Sequence, residues 1–307
     1  MAVNGVLRPG YIQLRVLDMD EALTHYVDRL GLLEVSREAD GRVYLKGWDE
    51  FERHSVILRE SDTPGMDMVG YKVAADADLD RYEQRLAEYG LTVEHIPAGE
   101  QPGAGRRISF VIPTGHRVEL IAEMEMSDRA PQVVNPDVWP EDPKGMGATR
   151  FDHCLLYGDD LDGALEVFTQ CLDFALAEQV KLNNGEILAI WLTCSNKAHD
   201  IAFVRHPEKN KFHHAAFFLN SWEEVGHAAD IITRYDISLD IGPTRHGITR
   251  GQTIYFFDPS GNRNEVFAGG YTYYPDNPTR EWSEDQLGKG IFYYERALND
   301  RFLGVVT

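Results

Sequence analysis

Positive charge is what this sequence has least of. Only 30 Lys and Arg stand against 50 Asp and Glu, a formal net charge of −20. Gripping a phosphate backbone requires clustered cations, so nucleic acid is not expected as a partner, and the acidity is read as a source of solubility. Cysteine is scarce as well. Cys154, Cys171 and Cys194 are odd in number and lack finger spacing, which argues against a disulfide framework and a zinc knuckle. Cys154 follows His153, but neighbours on a strand point to opposite faces, so the two are not expected to share a metal. All three are read as core thiols. Apolar runs of membrane-spanning length are missing, and the opening Met-Ala-Val-Asn-Gly-Val-Leu-Arg-Pro has no signal-peptide pattern. A cytoplasmic chain with no membrane partner is expected.

What is present is a globular balance, 43% apolar and 26% charged over 307 residues, enough for one large domain or two ordinary ones. An internal repeat decides for two. Asp20-Glu-Ala-Leu aligns with Asp162-Gly-Ala-Leu, and Phe110 to Glu119 with Phe256 to Glu265; the offset moves only from 142 to 146 between the two matches. Each copy opens on an alternating strand, Tyr11 to Val16 or Phe151 to Tyr157. A helix follows; in the second copy it carries Leu161, Leu165, Phe168 and Leu172 on one face behind Asp159 or Asp160 as cap. Strands come next, at 43–46, 54–58, 187–191 and 200–204. The unit then repeats within itself, from strands near 68–73 and 214–219 into second helices. The later of these opens on Ser221-Trp-Glu-Glu224, a capping box. The order is βαβββ twice per half, an α+β class with mostly antiparallel sheets curled round a pocket. Gly145 to Thr149 reads as the linker, which predicts domains at 1–145 and 146–281 and a helical tail over 282–307.

The most informative stretch is His246 to Glu265. Ile254-Tyr-Phe-Phe257 reads as a strand, Asp258-Pro-Ser-Gly-Asn262 as a turn, and Glu265-Val-Phe267 as the returning strand. A glutamate followed by Val266 and Phe267 heads into an apolar setting and wants a partner. This order of His, spacer, apolar residue, Tyr, Asp-Pro-x-Gly and Glu resembles the signature of the extradiol ring-cleavage dioxygenases, of the catechol 2,3-dioxygenase type, along essentially the whole chain. The resemblance implies two tandem vicinal-oxygen-chelate domains, each an open barrel of two βαβββ modules. It also implies Fe(II) as cofactor, a catechol-type substrate with O2, and a homotetramer.

The repeat adds its own test. His153, His214 and Glu265 occupy corresponding points of the second half; their partners in the first half are Tyr11, Met68 and Glu119. Only the second half therefore offers two imidazoles and a carboxylate, the facial set that leaves positions open for substrate and O2. Within His213-His214 only one side chain of a regular strand can face inward, and the alignment selects His214. By resemblance His199 is the acid/base, a role that suits imidazole titration; its repeat partner is His54. Also by resemblance, His246 and Tyr255 hold the substrate oxygen, and Trp191, Ile248, Thr249, Ile291 and Phe302 wall the pocket, with Trp191 expected to narrow it. Alternatives on the same fold are a Mn(II) enzyme or one for bicyclic diols, a glyoxalase-type isomerase or lyase, and a non-catalytic binding module. The last are short single-repeat chains, which this is not.

Overall fold

Alternation in Val6–Val16 (β1) and Arg150–Gly158 (β9) builds the centre of two sheets, one per half. The structure is a computed structural model that describes residues 5–140 and 142–307. The opening Met1 to Asn4, read above for a leader, and Glu141 in the proline-rich connection lie outside the described residues. In the first half β1 is followed by the helix α1 (Met19–Leu23), which continues as a π-helix through Thr24–Arg29. Then come β2 (Leu33–Arg37), β3 (Val43–Lys46) and β4 (Val56–Glu60). The second module is β5 (Gly65–Val73), α2 (Asp76–Tyr89), β6 (Val93–Ile96), β7 (Arg107–Val111) and β8 (Arg117–Ile121).

The second half repeats this order. After β9 come α3 (Leu161–Glu166, continued as a π-helix through Val167–Cys171), β10 (Ala175–Lys181), β11 (Ile187–Thr193) and β12 (Ile201–Arg205). Its second module is β13 (Lys211–Phe218), α4 (Trp222–Arg234), β14 (Leu239–Arg245), β15 (Gly251–Phe257) and β16 (Arg263–Gly269). The expected βαβββ order is present four times. In each half the two modules meet through an antiparallel pair, β1 on β5 and β9 on β13, and both sheets stay open. The cap residues are those read from the chain: the Asp160 side chain accepts from Gly163 N–H and Ser221 from Glu224 N–H, though the return bond of a capping box is shifted, Glu224 accepting from Asn220 N–H.

Two expectations need correction. The tail is not simply helical: it enters as strand β17 (Arg280–Ser283), which pairs in parallel with β10 and covers that edge. A 3₁₀ turn (Glu284–Gln286) and the short helices α5 (Leu287–Ile291) and α6 (Asp300–Gly304) follow. Strand periodicity is weak in four residues and was masked by the helix formers beyond it. Cys194 is also only half-buried, whereas Cys154 and Cys171 are buried; all three thiols are free.

One continuous apolar core runs through both halves. Each half lends the other a helix. Tyr26 of the α1 π-turn donates to Asp258 at 3.0 Å, beside Asn264, which donates to His25 at 2.9 Å. In return Phe168 packs edge-on against Tyr71. The closing hairpin of the second half is thereby gripped from behind, which holds Glu265 in place.

Candidate metal centre and its pocket

The hairpin pairs Tyr255 directly with Glu265 across β15 and β16, and β13 sets Ala216 opposite both His153 and Glu265. These registers bring His153, His214 and Glu265 together: one ligand atom from each lies within 4.8 Å of the others, and all three residues are buried. Nε2 of His153 and Nε2 of His214 each stand 3.2 Å from Glu265 Oε2. Burial opposes the Glu265 charge, but the imidazoles of His153, His214 and His246 beside it hold its pKa well below the carboxylate range. Burial pushes His214 down to about 4. Burial also opposes a charge on His153, yet Asp152 and Glu265 outweigh it and raise the group. A buried anion with two imidazole lone pairs aimed beside it is a site for a cation.

The first half shows what fills the same point when no metal is intended. The Tyr11 hydroxyl donates to Glu119, and Arg107 Nε donates to the same oxygen at 3.1 Å. Gly70 lets the Tyr11 ring in, since a Cβ there would come within 2.4 Å of it. Counting along the paired strands, Arg107 corresponds to Thr253, whose hydroxyl donates to Glu265 at 2.5 Å. A guanidinium neutralises the first glutamate internally. At the second a neutral hydroxyl stands instead, so the charge and the open space are left for an ion. The three donors fit a divalent metal with facial geometry and free positions.

All the predicted site residues line one cavity of ≈ 250 Å³. The His199 ring centroid is 4.0 Å from that of His153, and burial drives its pKa well below the ordinary histidine value. His246 Nδ1 donates to the Ile291 carbonyl, so its Nε2 is the acceptor for the Tyr255 hydroxyl at 2.8 Å. Burial, reinforced by Glu265, keeps Tyr255 protonated by raising it far above the usual phenol range. Trp191 and Ile248 form one side of the wall, and Phe302 packs on Tyr255 at 4.9 Å on the other. Thr249, in a left-handed conformation with Arg250, is pinned by its N–H on Glu178 at 2.7 Å.

Several supporting residues carried no sequence signal. Asp152 Oδ2 accepts from His153 Nδ1 at 3.0 Å, and Lys197 bridges Asp152 and Asp200 at 3.1 and 2.9 Å. Lys197, at the pocket wall, is the first of the influences that hold the buried Asp152 carboxyl far below its usual range against its desolvation. His213 faces inward together with His214, contrary to the alternation expected for a regular strand. The register jumps between Phe212 and His214, so a β-bulge turns both imidazoles into the interior.

Residues 66–125 match the family described as catechol 2,3-dioxygenase-like N-terminal domain, and residues 150–266 match the glyoxalase/bleomycin resistance protein/dioxygenase superfamily. The chain is 55% identical to the metapyrocatechase of Pseudomonas sp. (strain CF600), over 99% of each chain. It is 29% identical to a manganese-dependent 2,3-dihydroxybiphenyl 1,2-dioxygenase of Geobacillus genomosp. 3, over 93% of this chain and 92% of that one. Among solved structures, the 2,3-dioxygenase LapB from Pseudomonas sp. KL28 superposes with a TM-score of 0.90 at 47% identity, over 92% of this chain and 99% of that one.

Proposed function

Since the chain belongs to the metapyrocatechase-type extradiol dioxygenases, we propose that it opens catechol and simple alkylcatechols beside the diol, with O2, to a 2-hydroxymuconic semialdehyde. The contrast between Glu119, neutralised by Arg107, and Glu265, left facing two imidazoles, is the observation that carries a metal-dependent reading. His153, His214 and Glu265 are the ligands in this reading and Fe(II) the ion. When bound, such an ion supplies Lewis acidity toward the diol oxygens and a path for electrons to O2.

The remaining work falls to the protein. His246 and Tyr255 are a preformed donor–acceptor pair for one ring oxygen, with the phenol kept protonated by its burial. His199, held neutral, accepts a catechol proton and returns it as the ring opens; a lone pair and a hydrogen are its only requirements. Trp191, Ile248 and Phe302 exclude water and bracket the ring. The cavity lies below the about 300 Å³ at which ligand pockets usually begin, which favours one ring over two. A homotetramer belongs to the same reading; exposed Val133, Val134, Val138 and Trp139 are apolar surface such an assembly would cover.

The manganese-dependent relative keeps one rival alive, so the test is run on the metal. Apo-protein is reconstituted anaerobically with Fe(II) or with Mn(II), and catechol is added in air. Yellow ring-opened product with Fe(II) alone supports the reading in full. Product with Mn(II) alone changes the ion, and stoichiometric metal without product from catechol moves the substrate to bulkier diols. His199→Asn is expected to keep its metal and slow turnover by about 10²- to 10⁴-fold.

A further inference from the structure

His213 belongs to no part of the scheme above, yet it is buried, bulged inward and bonded at both ring nitrogens. Its Nε2 lies 2.8 Å from the carbonyl oxygen of Phe302, and its Nδ1 lies 2.7 Å from Nδ1 of His214. A carbonyl oxygen only accepts, so Nε2 of His213 carries a hydrogen. In neutral His213 that leaves a lone pair at Nδ1, which takes the hydrogen of His214 Nδ1. His214 is then left with its lone pair on Nε2, the atom that faces Glu265 at 3.2 Å. The reverse arrangement would require a cationic His213. Such a cation would be buried with an imidazole and a carbonyl, not a carboxylate, on its ring nitrogens, and with the Arg263 guanidinium on its own backbone carbonyl at 3.3 Å.

We propose that His213 is a positioning residue: through it, the backbone of the C-terminal tail selects the tautomer of His214 that can bind metal. This inference rests on the metal-site reading above. It treats the two imidazole ligands as solved by different means. His153 has a carboxylate, Asp152, on its Nδ1; His214 has a neutral relay that ends on a peptide carbonyl. Partners of this kind fix ring orientation and ligand basicity at metal sites.

The far end of the relay is firmly held. Arg263 Nη1 donates to the Val305 carbonyl at 2.8 Å and Nη2 to that of Arg301 at 3.3 Å. Thr307 and Phe212 exchange backbone hydrogen bonds of 3.0 and 2.8 Å, which clamps the end of the tail beside the bulge. The Phe302 side chain meanwhile lines the cavity against Tyr255. One residue of the tail thus serves the pocket with its ring and the ligand His214 with its carbonyl.

Two substitutions separate this role from simple packing. In His213→Asn the amide oxygen takes the place of Nδ1, which keeps the acceptor for His214 and gives up the tail. In His213→Gln the amide reaches the place of Nε2, which keeps the tail bond and gives up the acceptor. The measurement is the Fe(II) dissociation constant under anaerobic conditions against a ferrous chelator, with the unfolding midpoint of each apo-protein recorded alongside. Affinity within a few fold of wild type for Asn, with Gln weaker by on the order of 10- to 100-fold, supports the relay. Equal losses, or Gln binding better than Asn, overturn it, because a packing role follows the tail bond. Wild-type protein that binds no Fe(II) instead removes the metal-site reading on which the relay depends.

Discussion

At the residue scale the two glutamates of the closing hairpins are the instructive pair. They share a register position and a buried setting but not their neighbours: Arg107 and Tyr11 beside Glu119, Thr253 and two imidazoles beside Glu265. The positive charge that each needs comes from the protein in one half and is left to an ion in the other. Glu119→Gln should therefore leave metal content at the wild-type level. Its effect falls on stability, because Arg107 is 1% exposed and, among the described residues, keeps Glu100 alone as an ionic partner. A loss of about 2 kcal/mol is expected, the scale of a buried hydrogen bond to a charged group. Denaturant unfolding together with metal analysis checks both halves of the statement, and metal lost along with stability would break it.

Among the elements, the loop between β14 and β15 is where order has to be imposed. Thr249 and Arg250 have φ of 59° and 63°, a conformation that is uphill for residues with a Cβ. Glu178 of β10 holds them, accepting from Thr249 N–H and from Trp282 Nε1, each at 2.7 Å. It thereby ties the β17 edge, the loop and the pocket wall at Ile248 together. Glu178→Ala should release the loop. With catechol the expected result is KM raised several-fold at unchanged metal content, and steady-state kinetics on the reconstituted enzyme reads it. A variant that loses metal but keeps KM would place the role of Glu178 at the ligands instead.

Acid sensitivity is a property of the whole molecule. Burial lowers His25 to about 3, and His54 and His116 to about 4, from an unfolded value of about 6.5. Between those limits the unfolded chain takes up protons that the folded chain refuses. Each of these residues thus contributes stability that is complete above pH 6.5 and declines as pH falls toward 4 to 3, by about 1.4 kcal/mol per proton for each pH unit. His153 is shifted upward and works in the opposite sense, but the lowered His199, His213 and His214 add to the same acid sensitivity. The unfolding midpoint of the apo-protein should drop steadily from pH 7 to pH 4.5. A flat profile would show that these imidazoles are protonated in the folded state.

Local patterns and the internal repeat determined more of this protein than a single chain often allows. Alternation and helical spacing marked the βαβββ order. The offset between the halves placed His153, His214 and Glu265 at corresponding points, because a duplicated unit keeps its register. The hairpin signature, with its turn chemistry at Asp258 to Asn262, set Tyr255 across from Glu265. Four things were decided only by tertiary structure. The bulge at His213 breaks the period on which strand reading depends. Asp152 accepts from its strand neighbour His153, a contact that alternation does not predict, and Lys197 reaches Asp152 from 45 positions away. Strand β17 exists because the edge of β10 offers it partners, not because four residues prefer extension. The tail carbonyl at Phe302 and the loop carboxylate at Glu178 lie 89 and 71 positions from the groups that they hold. Contacts over such separations leave no periodicity in the chain, and folding alone brings them together.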